Sequence, residues 1–540
     1  MNKKPNVLLI LNDDMGYSDI GSYGGEIETP NLDKLAANGI RFTQFYNTAR
    51  CSPSRASLLT GLHPHQTGIG ILTYDSGPEG YAGDLNKESV TIAEVLKHNG
   101  YKTYMSGKWH VAKDLLEPSE NWPLQRGFDE FFGTIIGAGS YYDPNTLTRG
   151  NENIEHEVKG DKNFYYTDAI SDQAVQYIKD HAEKSPDEPF FEYVAYTAPH
   201  WPLHAKEEDM KKYKGRFAKG WDILRQERLQ KLVDMGIIDG NWELTDRDPS
   251  QPAWENADKK EWLERCMEVY AAQIDNMDQG IGRIIETLNE TGQLDNTLIF
   301  FLSDNGACEE DIPLNVSKEE LVNKLLIAKS QTRDGKEIFF GNDPKIMPGP
   351  ENTYQSYGTA WANLSNTPFR LYKHWVHEGG ISTPLIVHWP RGLSDKGTLR
   401  HTPGQLTDIM ATIVDITEAS YPSFYNGNDI LPMEGRSLKP ILEEDDCNDT
   451  PLFWEHEGNA AVRVGKWKLV KEYPKKWELF NMQLDRTEKH DLADQYPEFV
   501  KEMTAKYERW AERCGVVPRD KILRLMNESG ADKPFWEKDN

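Results

Sequence analysis

Four short strand-like runs in this chain each break off into a cluster of polar, chemically capable residues. Val7 to Leu11 ends in Asn12-Asp13-Asp14, and Tyr101 to Met105 is followed by Gly107-Lys108-Trp109-His110. Phe190 to Tyr196 leads into Ala198-Pro199-His200-Trp201, and Thr297 to Leu302 into Ser303-Asp304-Asn305-Gly306. Runs as continuously apolar as Val7 to Leu11 fit strands covered on both faces, as in a parallel sheet. Helical periodicity lies between them. Ile92 to His98 is closed by Gly100, and Ala169 to His181 forms a second helix. Trp262 to Leu288 places Met267, Tyr270, Ile274, Met277, Ile281 and Ile284 at helical spacing. The pattern predicts an α/β fold, with a large mixed, mostly parallel sheet sandwiched by helices. Ligands in such folds bind beyond the carboxyl ends of the strands, so all four polar clusters are expected to face one crevice.

Towards the C-terminus the texture changes. Ala460 to Val464 and Trp467 to Val470 flank Gly465-Lys466 as a hairpin, and Trp477 to Asn481 adds a strand. Pro497 to Cys514 carries Phe499, Met503, Tyr507 and Trp510 on one helical stripe. These predict a smaller antiparallel sheet with a helix packed on it. The expected division is a catalytic domain over 1–435 and an α+β subdomain over 436–540, with the boundary near Pro432 to Arg436. Two irregular stretches interrupt the larger part. Lys206 to Lys260 is charge-rich and is expected to be a surface insertion, and Cys308 to Pro350 to form a rim or lid.

The formal charge of -26 argues against nucleic acid or an anionic membrane as partner. No run approaches the ~20 apolar residues of a membrane-spanning helix. Val7 to Leu11 is too short for a secretory leader and ends in carboxylates, so it is expected to be the first buried strand. As it stands the chain is expected in the cytoplasm, or in the periplasm or outside the cell if a leader has been removed. Five scattered cysteines (51, 266, 308, 447 and 514) suggest no disulfide framework.

One of those cysteines stands apart. In Cys51-Ser52-Pro53-Ser54-Arg55, continued by Leu59-Thr60-Gly61, the proline opens a helix, the serines can cap it and the glycine ends it. Cys51 is then expected at the positive end of a helix dipole, with Arg55 one turn on. Asp13, Asp14 and Asp304, with the Asn305 amide oxygen, make a hard oxygen site suited to Ca²⁺. Singly, these features have plain alternatives: a buried structural thiol, an N-capping acid pair, hydrogen-bonded histidines, surface lysines. Their recurrence at one predicted sheet edge favours a site.

The chain resembles the type I, formylglycine-dependent sulfatases of the alkaline phosphatase superfamily, particularly the bacterial arylsulfatases. The resemblance rests on the C-x-P-S-R and L-T-G segments, Pro5-Asn6-Val7 to Asp14, and Gly107-Lys108-Trp109-His110. It extends to Ala198-Pro199-His200-Trp201-Pro202-Leu203, Ser303-Asp304-Asn305-Gly306, Arg370-Leu371-Tyr372-Lys373 and Glu378-Gly379-Gly380. It implies that Cys51 is oxidised to formylglycine by a maturing enzyme. It further implies that one Ca²⁺ is held by Asp13, Asp14, Asp304, Asn305 and residue 51, and that Arg55, Lys108, His110, His200 and Lys373 surround the sulfate. The implied reaction is hydrolysis of a small-molecule or carbohydrate sulfate ester by the hydrated aldehyde. His200, with Lys373, would protonate the leaving oxygen, and His110 would take the proton that lets the aldehyde regenerate. Two other readings stay open: a phosphonate monoester or phosphodiester hydrolase of the same superfamily, and a non-catalytic Ca²⁺-dependent binder of sulfated ligands.

Overall fold

The computed structural model describes residues 3–445 and 450–529. Its centre is an 11-stranded sheet. The four strands expected from sequence sit side by side in its middle, all parallel, in the order Thr297–Ser303, Asn6–Asp13, Phe190–Pro199 and Lys102–Lys108. Asn12 pairs with Ser303 and Gly107 with Ala195, so the four chains leave the sheet at nearly the same level. Glu130–Thr134 continues the parallel side, and Ser382–His388 joins antiparallel to Thr297–Ser303. Gly107 has a φ of 112° and lies so close to its neighbour that a Cβ there would fall 2.0 Å from the Ala195 carbonyl oxygen. Only glycine permits this approach.

Alternation along Asn6–Asp13 divides the interior in two. Leu8 and Ile10 face a core built on the helices Lys260–Glu290, Tyr166–Lys184 and Pro30–Ala37. Val7, Leu9 and Leu11 face a second core beneath Cys51–Thr60, Ile92–His98 and Thr407–Thr417. The C-terminal part is a four-stranded antiparallel sheet, Leu452–His456, Asn459–Val464, Trp467–Lys471 and Glu478–Asn481. One face packs Trp454, Val470 and Phe480 on Tyr46, Val376 and Ile381 of the larger part, and the other is covered by Pro497–Arg513. No helix among the described residues is long and apolar enough to cross a membrane.

The stretch from Lys206 to Lys260 departs from its expectation as a surface insertion. Within it, Trp221, Leu224, Arg228 and Leu232 of the helix Gly220–Asp234 are buried. Arg228 is fully enclosed, pairing with Asp19 and Glu26 at 2.8 Å each. A guanidinium with two carboxylate partners can be buried where an unpaired one cannot. Those partners lie some two hundred positions away in the chain.

Glu192 is an isolated acid in the central sheet. It stands between Leu8 and Tyr104, fully buried, and neither carboxyl oxygen has a hydrogen-bond partner. Burial pushes its pKa well above the usual carboxylate value. The unfolded carboxyl ionises near pH 4.3 and the folded one later, so this residue's contribution is fully present below about pH 4 and declines as pH rises. Glu192→Gln is therefore expected to gain stability over the parent progressively as pH rises above ~5. Urea unfolding at several pH values checks this, and a gain independent of pH would contradict it.

Candidate active site

The helix Cys51–Thr60 places Cys51 at its first position, with Arg50 as the extended residue before it. Gly61, at φ 70°, closes the helix by donating to the Ser57 carbonyl. Neither flanking serine caps it. Ser54 Oγ accepts from the Thr48 N–H at 3.0 Å, fastening the entering loop, and Ser52 Oγ is buried without a partner. Cys51 thus sits where the helix dipole favours negative charge. It is 3% exposed and lines a cavity of about 200 Å³ together with His110, His200 and Lys373. A larger groove of about 560 Å³, between Gly236–Asp239 and the C-terminal sheet, contains none of the candidate residues.

Under the cavity lies a fully enclosed lattice of charges. Arg55 donates from Nε and Nη2 to Asp304 Oδ2 at 3.1 and 2.8 Å, and from Nη1 to the Lys108 carbonyl at 3.0 Å. Its Nη2 is also 3.7 Å from Asp13 Oδ2. Lys108 Nζ meets Asp13 Oδ2 at 2.5 Å, and Lys373 Nζ meets Asp14 Oδ1 at 2.9 Å. Asn305 Nδ2 donates to Asp14 Oδ1 at 2.6 Å, and the Asp14 N–H reaches Asp304 Oδ1 at 3.3 Å. Burial raises carboxylate pKa values here, but Lys108 and Arg55 hold Asp13 well below the usual range. Burial and the neighbouring Asp13 push Asp304 up to about 7. Asp13 Oδ1 and Asn305 Oδ1 are buried oxygens with no partner among the described residues. Three carboxylates and an amide oxygen, two of these oxygens unpartnered, fit a divalent hard cation.

Asp14 and His110 take left-handed backbone at φ 67° and 54°. Such conformations cost on the order of 1–3 kcal/mol each and gather at sites where a side chain must be aimed. The His110 ring lies against Gly137, where a Cβ would fall 2.2 Å from its Cε1. Gly137→Ala is expected to displace that ring and lower kcat/KM by about 10²-fold, the effect of an ångström-scale misplacement. Steady-state kinetics beside a folded-state control checks this, and parent-like kcat/KM would count against His110 acting from that position. Burial, with Lys108 and Arg55 nearby, holds the His110 pKa well below its ordinary value, and its Nδ1 is unpartnered.

His200 and Lys373, expected to act together on the leaving oxygen, are neighbours. His200 Nδ1 is 2.6 Å from the Trp201 carbonyl, which can only accept, so Nδ1 carries the hydrogen. Nε2 of neutral His200 is then a lone pair, 3.3 Å from Lys373 Nζ. Burial lowers the His200 pKa, whereas Asp14 raises that of Lys373 well above normal against the effect of burial. The resting proton of the pair therefore belongs to Lys373.

Sequence reasoning missed three features. Arg50 pairs with Glu310 at 2.9 Å, and Glu310 also accepts from Trp201 Nε1 at 3.0 Å, inside the cavity wall. Glu310 sits in the acidic run Glu309-Glu310-Asp311, whose composition suggests solvent exposure. Third, His374, His456 and Glu457 gather donor atoms within 4.8 Å, as a metal site would. Asn459, however, commits Oδ1 to the Tyr473 N–H at 3.0 Å and so presents Nδ2 to His374 Nε2 at 3.1 Å. The hydrogen of His374 is then on Nδ1, donated to Glu457 at 2.7 Å, while neither ring nitrogen of the buried His456 has a hydrogen-bond partner among the described residues.

Comparison with known proteins decides the family. The Sulfatase family model matches residues 5–419. The chain belongs to the sulfatase family. A model described as N-sulphoglucosamine sulphohydrolase, C-terminal, matches residues 369–513 of this sulfatase. It is 34% identical to an uncharacterized sulfatase of Schizosaccharomyces pombe, over 96% of this chain and 95% of that one. It is 32% identical to an arylsulfatase of Klebsiella aerogenes, over 81% and 92%. Among solved structures it is similar to Ps i-CgsB, at 25% identity and a TM-score of 0.67 over 98% of each chain. A protein solved with its substrate D-glucosamine-2-N,6-O-disulfate shares the fold at 20% identity and a TM-score of 0.61, over 95% and 98%. The sulfatase is thus an enzyme of sulfate ester hydrolysis.

Proposed function

We propose that this sulfatase cleaves sulfate monoesters with a formylglycine made from Cys51 by a maturing enzyme, beside one Ca²⁺ held by Asp13, Asp14, Asp304, Asn305 and residue 51. The observation that carries the proposal is the seating of Cys51 at a helix N-terminus, in one cavity with His110, His200 and Lys373, over the enclosed carboxylates. The hydrated aldehyde supplies an oxygen nucleophile that thiol chemistry lacks. Ca²⁺ in this donor set supplies positive charge for the sulfuryl oxygens.

The chain's own groups do the rest. Arg55 and Lys108, both fully buried, hold the carboxylates in place and set a positive field behind residue 51. Donors fixed in a dry site act without reorganising, an effect worth several kcal/mol in other enzymes, about 2.7–4 for one donor. Neutral His110 accepts a proton at a ring nitrogen on the nucleophile's side. Lys373 Nζ stores the proton for the leaving oxygen, and His200 Nε2 orients it and shares it. General acids of this kind contribute roughly 10²–10⁴-fold.

His200→Ala is accordingly expected to slow alkyl sulfates by about 10²-fold more than nitrophenyl sulfate, whose leaving oxygen needs little protonation. Equal losses on both would remove His200 from proton transfer. The arylsulfatase relative and the disulfated-glucosamine complex support phenols, alcohols and sugars as the ester class. The division at residues 435 and 436 remains part of the proposal. Turnover of an aryl sulfate against an aryl phosphonate by converted protein tests the assignment. Preference for the phosphonate would move it to the superfamily's phosphonate hydrolases, and binding of both without turnover would make it a binder.

A further inference from the structure

The cavity around Cys51 has an unusual wall for a site that receives an anion. Seven of its lining residues, Leu72, Leu115, Ile136, Ala138, Trp201, Leu325 and Ile327, are apolar. Most of them belong to one packed cluster with Leu321 and Tyr354, so this wall is part of a core and not a loose loop. Set into it is Glu310, 7% exposed, with a carboxylate oxygen on Arg50 and the other on the Trp201 indole. Burial alone would neutralise such an acid. Lys373 and Arg50 instead keep it charged, holding its pKa well below the usual carboxylate range.

We propose that Glu310 is a specificity-determining residue of this site. It rejects leaving groups that carry a second anionic group beside the scissile sulfate, so the preferred substrate is otherwise uncharged and largely apolar. The inference rests on the hydrolase reading above and deepens it.

The competing charge is Lys324, which lines the same cavity but stands exposed at its rim. Water and salt screen an exposed ammonium, with a Debye length of about 8 Å at physiological ionic strength. Glu310 acts from inside the wall, where the effective dielectric constant is lower and a like charge is repelled more strongly. Arg50, the nearest cation, is paired with Glu310, so its charge is masked from a second anion for as long as Glu310 is ionised. The scissile sulfate has its own cation in Lys373, which lines the cavity above Lys108 and Arg55. A second anion, a carboxylate or another sulfate, finds the Arg50 charge already taken up by Glu310.

The test uses two nitrophenyl sulfates of equal shape, one bearing a carboxamide on the ring and the other a carboxylate. Both are given to full-length protein with measured conversion of residue 51. The parent is expected to favour the carboxamide in kcat/KM. Glu310→Gln, which loses the charge and keeps one of the two accepting positions, is expected to raise the carboxylate-to-carboxamide ratio at least 10-fold, chiefly through KM. Glu310→Asp is expected to retain the parent's ratio. A ratio unmoved by Glu310→Gln overturns the inference, as does a parent that prefers the carboxylate, a measurement that needs no variant. Failure of converted parent to turn over either ester would instead overturn the hydrolase reading, and this inference with it.

Discussion

Cys51→Ala protein is expected to unfold close to the parent and to lose at least about 10⁴-fold in turnover of every sulfate ester, the scale seen when a nucleophile is removed. The structural cost is small because the thiol lines the cavity and packs only at its edge, in a satellite cluster with Ile71, Leu72, Tyr81, Ile522 and Met526. Free cysteine behaves there as a small apolar group, and its trimming costs about 1 kcal/mol. The chemical cost is total, since alanine can be neither oxidised nor hydrated. Thermal unfolding beside steady-state rates separates the two. A variant that keeps more than a few per cent of the parent's rate would place the nucleophile elsewhere.

Arg55→Ala is expected to do the reverse of a clean catalytic knockout, by damaging fold and activity together. Arg55 is fully buried and gives two hydrogen bonds to Asp304 and one to the Lys108 carbonyl. Removing it leaves Asp304 and Asp13 enclosed with one cation fewer, and breaking a buried pair in this way costs about 3–5 kcal/mol. Arg55→Lys is not expected to rescue it, because an ammonium cannot reproduce the Nε and Nη2 fork on one carboxylate oxygen. Denaturant unfolding in the presence of a chelator checks the stability term apart from any bound cation. A loss under about 1 kcal/mol would mean that the carboxylates do not depend on Arg55 for their burial.

The sequence made the sheet legible and left the charge pairing hidden. Val7 to Leu11 and Thr297 to Leu302 are so uniformly apolar that only a two-sided burial suits them, and both are central strands. The helix Ile92–His98 matches its expected limits because Thr91 and Glu94 form a capping box at one end and Gly100 follows the other. Local signals of that kind are written in a few adjacent residues. Arg228 and Glu310 carry no such signal. Each is a charge whose burial depends on partners far along the chain, Asp19 and Glu26 for one and Arg50 for the other. Composition placed Arg228 in a surface insertion and Glu310 only in an irregular rim or lid for that reason. The His200 tautomer was hidden similarly, since it is fixed by a main-chain carbonyl whose direction only the fold determines.

The central claim is that an oxidised side chain at position 51 is the working nucleophile of this cavity. It is tested most directly by measuring aryl sulfate turnover against the converted fraction of residue 51, read from intact mass as a loss of about 18 Da, across preparations of different conversion. Turnover proportional to that fraction, extrapolating to zero for unconverted Cys51, is the predicted result. Fully converted, folded protein with no sulfate ester turnover, or equal rates from unconverted protein, would contradict it.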